Sequence, residues 1–137
     1  MRPLTAAIVT GVAVMALTVA ARADKVDFTA QLDSEPDDAA AARDAKGAAS
    51  LSLDTATGAA SWRIEYSGLS RPAAGVGCGE ISAPAGPVIW RTDHLASPVS
   101  GVQTLTAPQA ASLAAGRWVC VVDTDDVDIG GTLKPAR

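Results

Sequence analysis

Histidine occurs once in this 137-residue chain, cysteine twice, and the aromatic side chains are three tryptophans, one tyrosine and one phenylalanine. A single histidine, His94, leaves a dedicated zinc or copper centre short of donors. No serine sits in a G-x-S-x-G turn, so a hydrolytic triad has no nucleophile elbow for that histidine to serve. Neither cysteine lies in a C-x-x-C pair. Basic residues are also in deficit, 11 against 15 acids for a formal charge of −4, and such a surface repels phosphate backbones, which excludes nucleic acid as a partner. These shortages predict a chain that is not an enzyme and carries no cofactor.

Long apolar runs are absent too, with one exception at the start. Arg2 is the only charge ahead of a small and apolar stretch from Leu4 to Ala21, and Ala21-Arg22-Ala23 places small residues at −3 and −1 of a cleavage site. This reads as a signal peptide over residues 1–23, cleaved after Ala23, because the run is too short and alanine-rich for an anchor. No cysteine follows it for lipid attachment, and no paired arginines precede it. The expected address is periplasmic or secreted, with no stable membrane insertion after cleavage. Loss of Arg2 and Arg22 moves the formal charge from −4 to −6. Residues 24–137 are then enough for one domain with one core.

Within that domain the first signals are alternations. Val26, Phe28, Ala30 and Leu32 share one side of Lys25–Leu32; Ala49, Leu51 and Leu53 repeat the pattern; so do Ala60, Trp62, Ile64 and Tyr66. A period of two predicts half-buried strands. Thr55-Ala56-Thr57-Gly58 between the second and third predicts a hairpin. Trp62 and Tyr66 share a face with Ile64 and are expected in the core. The acid- and alanine-rich segment Asp33–Lys46 reads as a solvated loop with a helical turn at its end. Ser67–Gly79 reads as a turn-rich crossing. Its Gly75-Val76-Gly77-Cys78-Gly79 lacks the strand–loop–helix context of a dinucleotide site. Ala83–Pro87 is expected to turn, Val88–Trp90 to form a short strand, Arg91–Gly101 an exposed loop with His94, and Val102–Thr106 another strand.

The last third organises the rest. Thr106 with Gln109 three residues on forms a capping box, Pro108 is tolerated in the first turn and Gly116 stops the helix, which is expected over about 107–115. Arg117–Asp123 is nearly all apolar, as in a central strand, and Asp128–Lys134 closes the sheet. The pattern predicts an all-β fold, a single Greek-key, immunoglobulin-like β-sandwich of about seven strands with one short helix.

Two constellations invite chemistry. Cys78 and Cys120, 42 residues apart, read as one disulfide in an exported chain; closing such a loop is worth up to ~4 kcal/mol by chain entropy. A reactive thiol or a metal thiolate is the alternative for the same residues. Asp123, Asp125, Asp126 and Asp128 are the candidate metal ligands. An EF-hand register counted from Asp123 fails, because its fifth position is Val127 and its sixth Asp128.

The order of several short pieces adds a further expectation. Phe28-x-Ala30-x-Leu32 with Ser34-Glu35-Pro36, Gly47-Ala48 into Leu51-x-Leu53, Thr57-Gly58, and Trp62-x-Ile64-x-Tyr66-x-Gly68-Leu69 come first. Ala85–Val88, Gly101, Leu105-Thr106 with Gln109, Leu113, Gly116, Trp118-Val119 and Val127–Leu133 follow. From about Lys25 to Leu133 this succession resembles the CHRD (chordin-type) domain family. That resemblance implies an extracytoplasmic β domain of poorly defined activity. The family's middle strand carries a His-Ile-His segment and its late strand an Asn-Val-His-Thr segment. Here Cys78-Gly79-Glu80 and Cys120-Val121-Val122 stand in those places. The resemblance thus implies a divergent member without the family's histidines, in which a disulfide joins the same two strands. Two readings of function remain: an exported non-catalytic domain with a binding or structural role and an unknown protein or surface partner, or a small metal-binding or redox protein using the cysteines, His94 and the Asp123–Asp128 cluster.

Overall fold

Nine strands and one helix account for most of the described residues. The computed structural model describes residues 24–34, 44–81 and 87–136; the leader at 1–23, most of the helical turn expected over Ala39–Lys46 and most of the Ala83–Pro87 turn lie outside them. The strands are β1 (Lys25–Ser34), β2 (Lys46–Asp54), β3 (Ala59–Ser67), β4 (Gly75–Glu80), β5 (Ile89–Arg91), β6 (Val99–Thr104), β7 (Trp118–Asp123), β8 (Ile129–Thr132) and β9 (Lys134–Pro135), with α1 (Ala107–Ala114) between β6 and β7. All described pairings are antiparallel, in the order β5-β4-β7-β8-β1-β2-β3-β6, with β9 added on β1.

The chain is all-β and sandwich-like, as the alternation predicts, and its sheet nearly closes on itself. One half is β1-β2-β3-β6 and the other β5-β4-β7-β8, and the links β3–β4, β5–β6 and β6–β7 pass between halves. Both inner faces meet in one cluster: Phe28, Leu51 and Ile64 from the first half, Val76, Trp118 and Val122 from the second. Each such large side chain taken wholly from water stabilises by roughly 1.5–3 kcal/mol. The ion pairs Lys46–Asp33 and Arg63–Glu65 lie on the surface with more than half of each side chain exposed, and pairs of that kind contribute about 0–1 kcal/mol. Packing, then, holds the fold. The two strands beyond the expected seven are β4, which the sequence reads as part of a crossing, and β9, a two-residue piece where a single closing strand is expected.

The first half follows its sequence closely. β1 and β2 pair over nine positions from Lys25↔Asp54 to Asp33↔Lys46, and β2 returns into β3 through Thr55–Gly58. Asp54 builds that turn, its Oδ1 accepting from the backbone of Ala56 (2.9 Å) and Thr57 (3.3 Å). Gly58 has φ 78°, and a Cβ there would stand 2.6 Å from the Leu105 carbonyl, so only glycine fits. Trp62 is buried, and Tyr66 is half-buried with its hydroxyl donating to the Leu95 carbonyl.

The capping box at α1 forms as expected: Thr106 Oγ1 accepts from Gln109 N (3.3 Å) and Gln109 Oε1 from Thr106 N (2.9 Å), with Leu113 fully buried. One segment differs from expectation. Gly75–Glu80 is a strand, not the end of a turn-rich crossing, for a reason given below. At the seam between the two edge strands, Arg91 Nη1 of β5 donates to the Ser100 carbonyl of β6 (3.0 Å).

Candidate functional site

The second half of the sheet carries every residue singled out for chemistry except His94. Val76 and Cys78 of β4 point inward, as do Trp118, Cys120 and Val122 of β7. Cys78 and Cys120 are direct register partners with Cα atoms 4.0 Å apart, and they form a disulfide. They are 2 % and 0 % exposed. The bond therefore occupies both sulfurs inside the core, and neither remains as a thiolate ligand.

His94 sits in the link between β5 and β6 with φ 51°, its side chain 84 % exposed and its Nε2 3.9 Å from Asp93. The four aspartates occupy the β7–β8 turn. Thr124 organises that turn: its Oγ1 accepts from Val127 N (2.8 Å) and Asp126 N (3.3 Å) and donates to the Val127 carbonyl. Asp128 Oδ1 accepts from Thr124 N (3.4 Å), and Asp126 pairs with Arg71 (2.6 Å). The Asp123 carboxyl is pushed up to about 6, first by its hydrogen bond with Asp128, then by burial and by the charges of Asp128 and Asp125. Among the described residues, no group of three or more His, Cys, Asp or Glu side chains is placed to hold a metal ion. The turn is built by a threonine that the acidic composition of the segment conceals.

The outward face of this half is unlike the rest of the surface. Gly75, Gly77 and Gly79 alternate outward from Val76 and Cys78, and the Trp90 indole of β5 lies over the first two. A Cβ at Gly75 would stand 2.2 Å from the indole's benzo edge. At Gly77 it would meet the Ile89 carbonyl at 2.1 Å and the indole at 2.7 Å. Two of the three alternating glycines thus floor one tryptophan and the third lies under Pro87, which is why a run that resembles turn sequence is extended here. Trp90 remains 43 % exposed. Val119 and Val121 of β7 continue the surface beside it, and Ile81, 63 % exposed, and Pro87 close one end of a shallow groove of about 530 Å³. Glu80 also lines it, and beyond the groove on the same face Asp123 is the register partner of Gly75. Sequence reasoning missed this groove because Trp90 gives no local sign of lying over glycines 13 to 15 positions earlier. The alternation of glycines was the available signal.

A second cleft, about 440 Å³, opens between α1 and the β2–β3 turn, lined by Val26, Phe28, Leu53, Leu105, Ala110 and Ala114. Its walls carry no ionisable group other than Asp54, whose carboxylate is engaged in its own turn. No helix among the described residues is long and apolar enough to cross a membrane.

Comparison with curated proteins and with solved structures finds no match. The model of the CHRD domain family matches residues 28–130, from within the first strand to the start of β8, and so covers both cysteine-bearing strands and most of the sandwich. The chain belongs to the CHRD domain family.

Proposed function

We propose that this chain is an exported, non-catalytic binding domain, held in one conformation by its disulfide. Residues 1–23 serve as the cleaved leader and residues 24–137 work outside the cytoplasm, in the periplasm or beyond the cell. The observation that carries the binding role is the outer face of β4, β5 and β7, where an exposed tryptophan and two valines stand on a sheet surface that ordinarily carries polar side chains. Support for a non-catalytic role comes from the cysteines, both buried in one bond, and from a histidine that stands in solvent with one aspartate near it. On this reading Asp123, Asp125, Asp126 and Asp128 shape a turn and its charge and do not serve a reaction.

The test is photo-crosslinking in cells of the native host, with a photoreactive residue replacing Val121 on one face or Ser52 on the other. Discrete adducts from position 121 that are absent from position 52 are the expected result. Adducts from neither position would end the binding reading and leave a purely structural role. Fractionation of the same cells checks the address: mature chain in the cytoplasm with residues 1–23 retained would overturn export.

A further inference from the structure

The groove beside Trp90 has a mainly apolar lining that includes Glu80, and Asp123 stands beyond it on the same face of β7; that combination specifies its occupant. We infer that the outer face of β4, β5 and β7 docks an extended, basic segment of a partner protein, with aliphatic side chains on Trp90 and Val121 and a lysine or arginine at Asp123. This rests on the binding role proposed above and names the chemistry of the partner.

Three observations on the same face support it. Trp90 presents an open indole surface, because its other side is already laid over Gly75 and Gly77; an open indole takes aliphatic groups and, at its edge or face, cations. The valines at 119 and 121 lie on adjoining outward positions of β7 and extend the apolar surface along the strand direction, which suits an extended segment. Finally, Asp123 stands opposite Gly75, where the benzo edge of Trp90 ends, with Asp125, Asp126 and Asp128 in the turn beyond. Arg71 answers Asp126. Asp123 and Asp128 face one another, and their mutual repulsion is relieved when a cation arrives. The chain as a whole is acidic, at a formal charge of −4, so long-range attraction also favours a basic partner over an acidic one.

The test uses the isotopically labelled, disulfide-bonded protein and three synthetic hexapeptides: alternating lysine and leucine, alternating glutamate and leucine, and alternating lysine and serine. Saturable NMR shifts of the Trp90 indole N–H and the Gly77, Val119 and Val121 amides by the lysine–leucine peptide are expected. Affinity should fall at least about tenfold for each of the other two peptides and for the Val121→Lys variant, and should fall with added salt. Trp90→Ala should behave as Val121→Lys does, and should it fail to fold, the outward-facing Val121→Lys keeps the test intact. Equal binding of the glutamate–leucine peptide would overturn the basic partner, as would shifts confined to the cleft under α1. Concentration-dependent self-association through Trp90 would give the face to a second copy and also overturn it. If crosslinks from position 121 persist in cells while no peptide binds, the binding role stands and the basic partner falls; if crosslinks are absent as well, both fall.

Discussion

The two outer faces of this sheet obey different rules. On β1–β2–β3 the outward positions are Asp27, Thr29, Ser50, Ser52, Ser61 and Arg63, a hydroxylated and charged surface that water covers without penalty. On β4–β5–β7 they are glycines, valines and a tryptophan, with Asp123 at the end of β7. The inner faces are equally apolar, so core formation does not account for the contrast. The halves also differ in how they are held. β1 and β2 share nine register pairs and β2 and β3 eight, whereas β4 and β7 share six and β4 and β5 three. The half with the shorter ladders is the one with a covalent cross-link. What the contrast teaches is that the disulfide secures the part of the fold least able to secure itself, which is also the part that presents the groove.

Breaking that cross-link should have the largest effect. Replacing Cys78 and Cys120 together with alanine should remove about 2–5 kcal/mol of stability in urea unfolding. Hydrogen exchange should then quicken on β4 and β7 while β1, β2 and β3 keep most of their protection; uniform acceleration across both halves would contradict a division of labour. Next comes the glycine floor. Gly77→Val places a branched side chain where the Ile89 carbonyl and the Trp90 indole already stand, and should cost about 1–3 kcal/mol while moving the tryptophan emission to the red. An unchanged spectrum and midpoint would show that the indole does not lie over β4.

A smaller effect is set by pH. With its folded-state value raised from 3.8 to about 6, Asp123 binds its proton more tightly when the chain is folded than when it is unfolded. The group therefore lowers stability above pH 6, and the penalty is relieved as pH falls from 6 toward 4. Asp123→Asn should raise the thermal midpoint at pH 7.5 and change it less at pH 4.5; equal shifts at both values would place the cause elsewhere. Smallest of all should be Ser52→Val on the polar face, within about 0.5 kcal/mol in either direction. A larger change there would mean that the two outer faces are not as independent as their composition suggests.

Much of the first half can be read directly from the chain, because each of its strands alternates polar with apolar residues and its turn contains a glycine. Val26 to Leu32, Leu51 to Leu53 and Trp62 to Tyr66 announce their own faces, and Thr106 with Gln109 announces a helix start. The disulfide is legible from cysteine number and the expected compartment. β4 is not, because a glycine on an outward position carries no polarity and looks like a turn until Trp90, remote in sequence, is set upon it. The same limit hides the candidate site. Its composition is ordinary, and only the register of β4 with β5 and β7 assembles it. Thr124 escapes for another reason: four neighbouring aspartates draw attention to charge, while the hydrogen bonds that shape the turn converge on one hydroxyl.

The Arg91 guanidinium reaching the Ser100 carbonyl has a consequence for life at high concentration. A sheet that stops short of closure ends in two strands whose unpaired amides and carbonyls can template the addition of a neighbouring molecule, the first step toward fibrous deposits. Here β5 and β6 are those strands, and a cation from one occupies an acceptor on the other. The gap is crossed by a contact between its own borders, and the chain carries that protection against stacking with it.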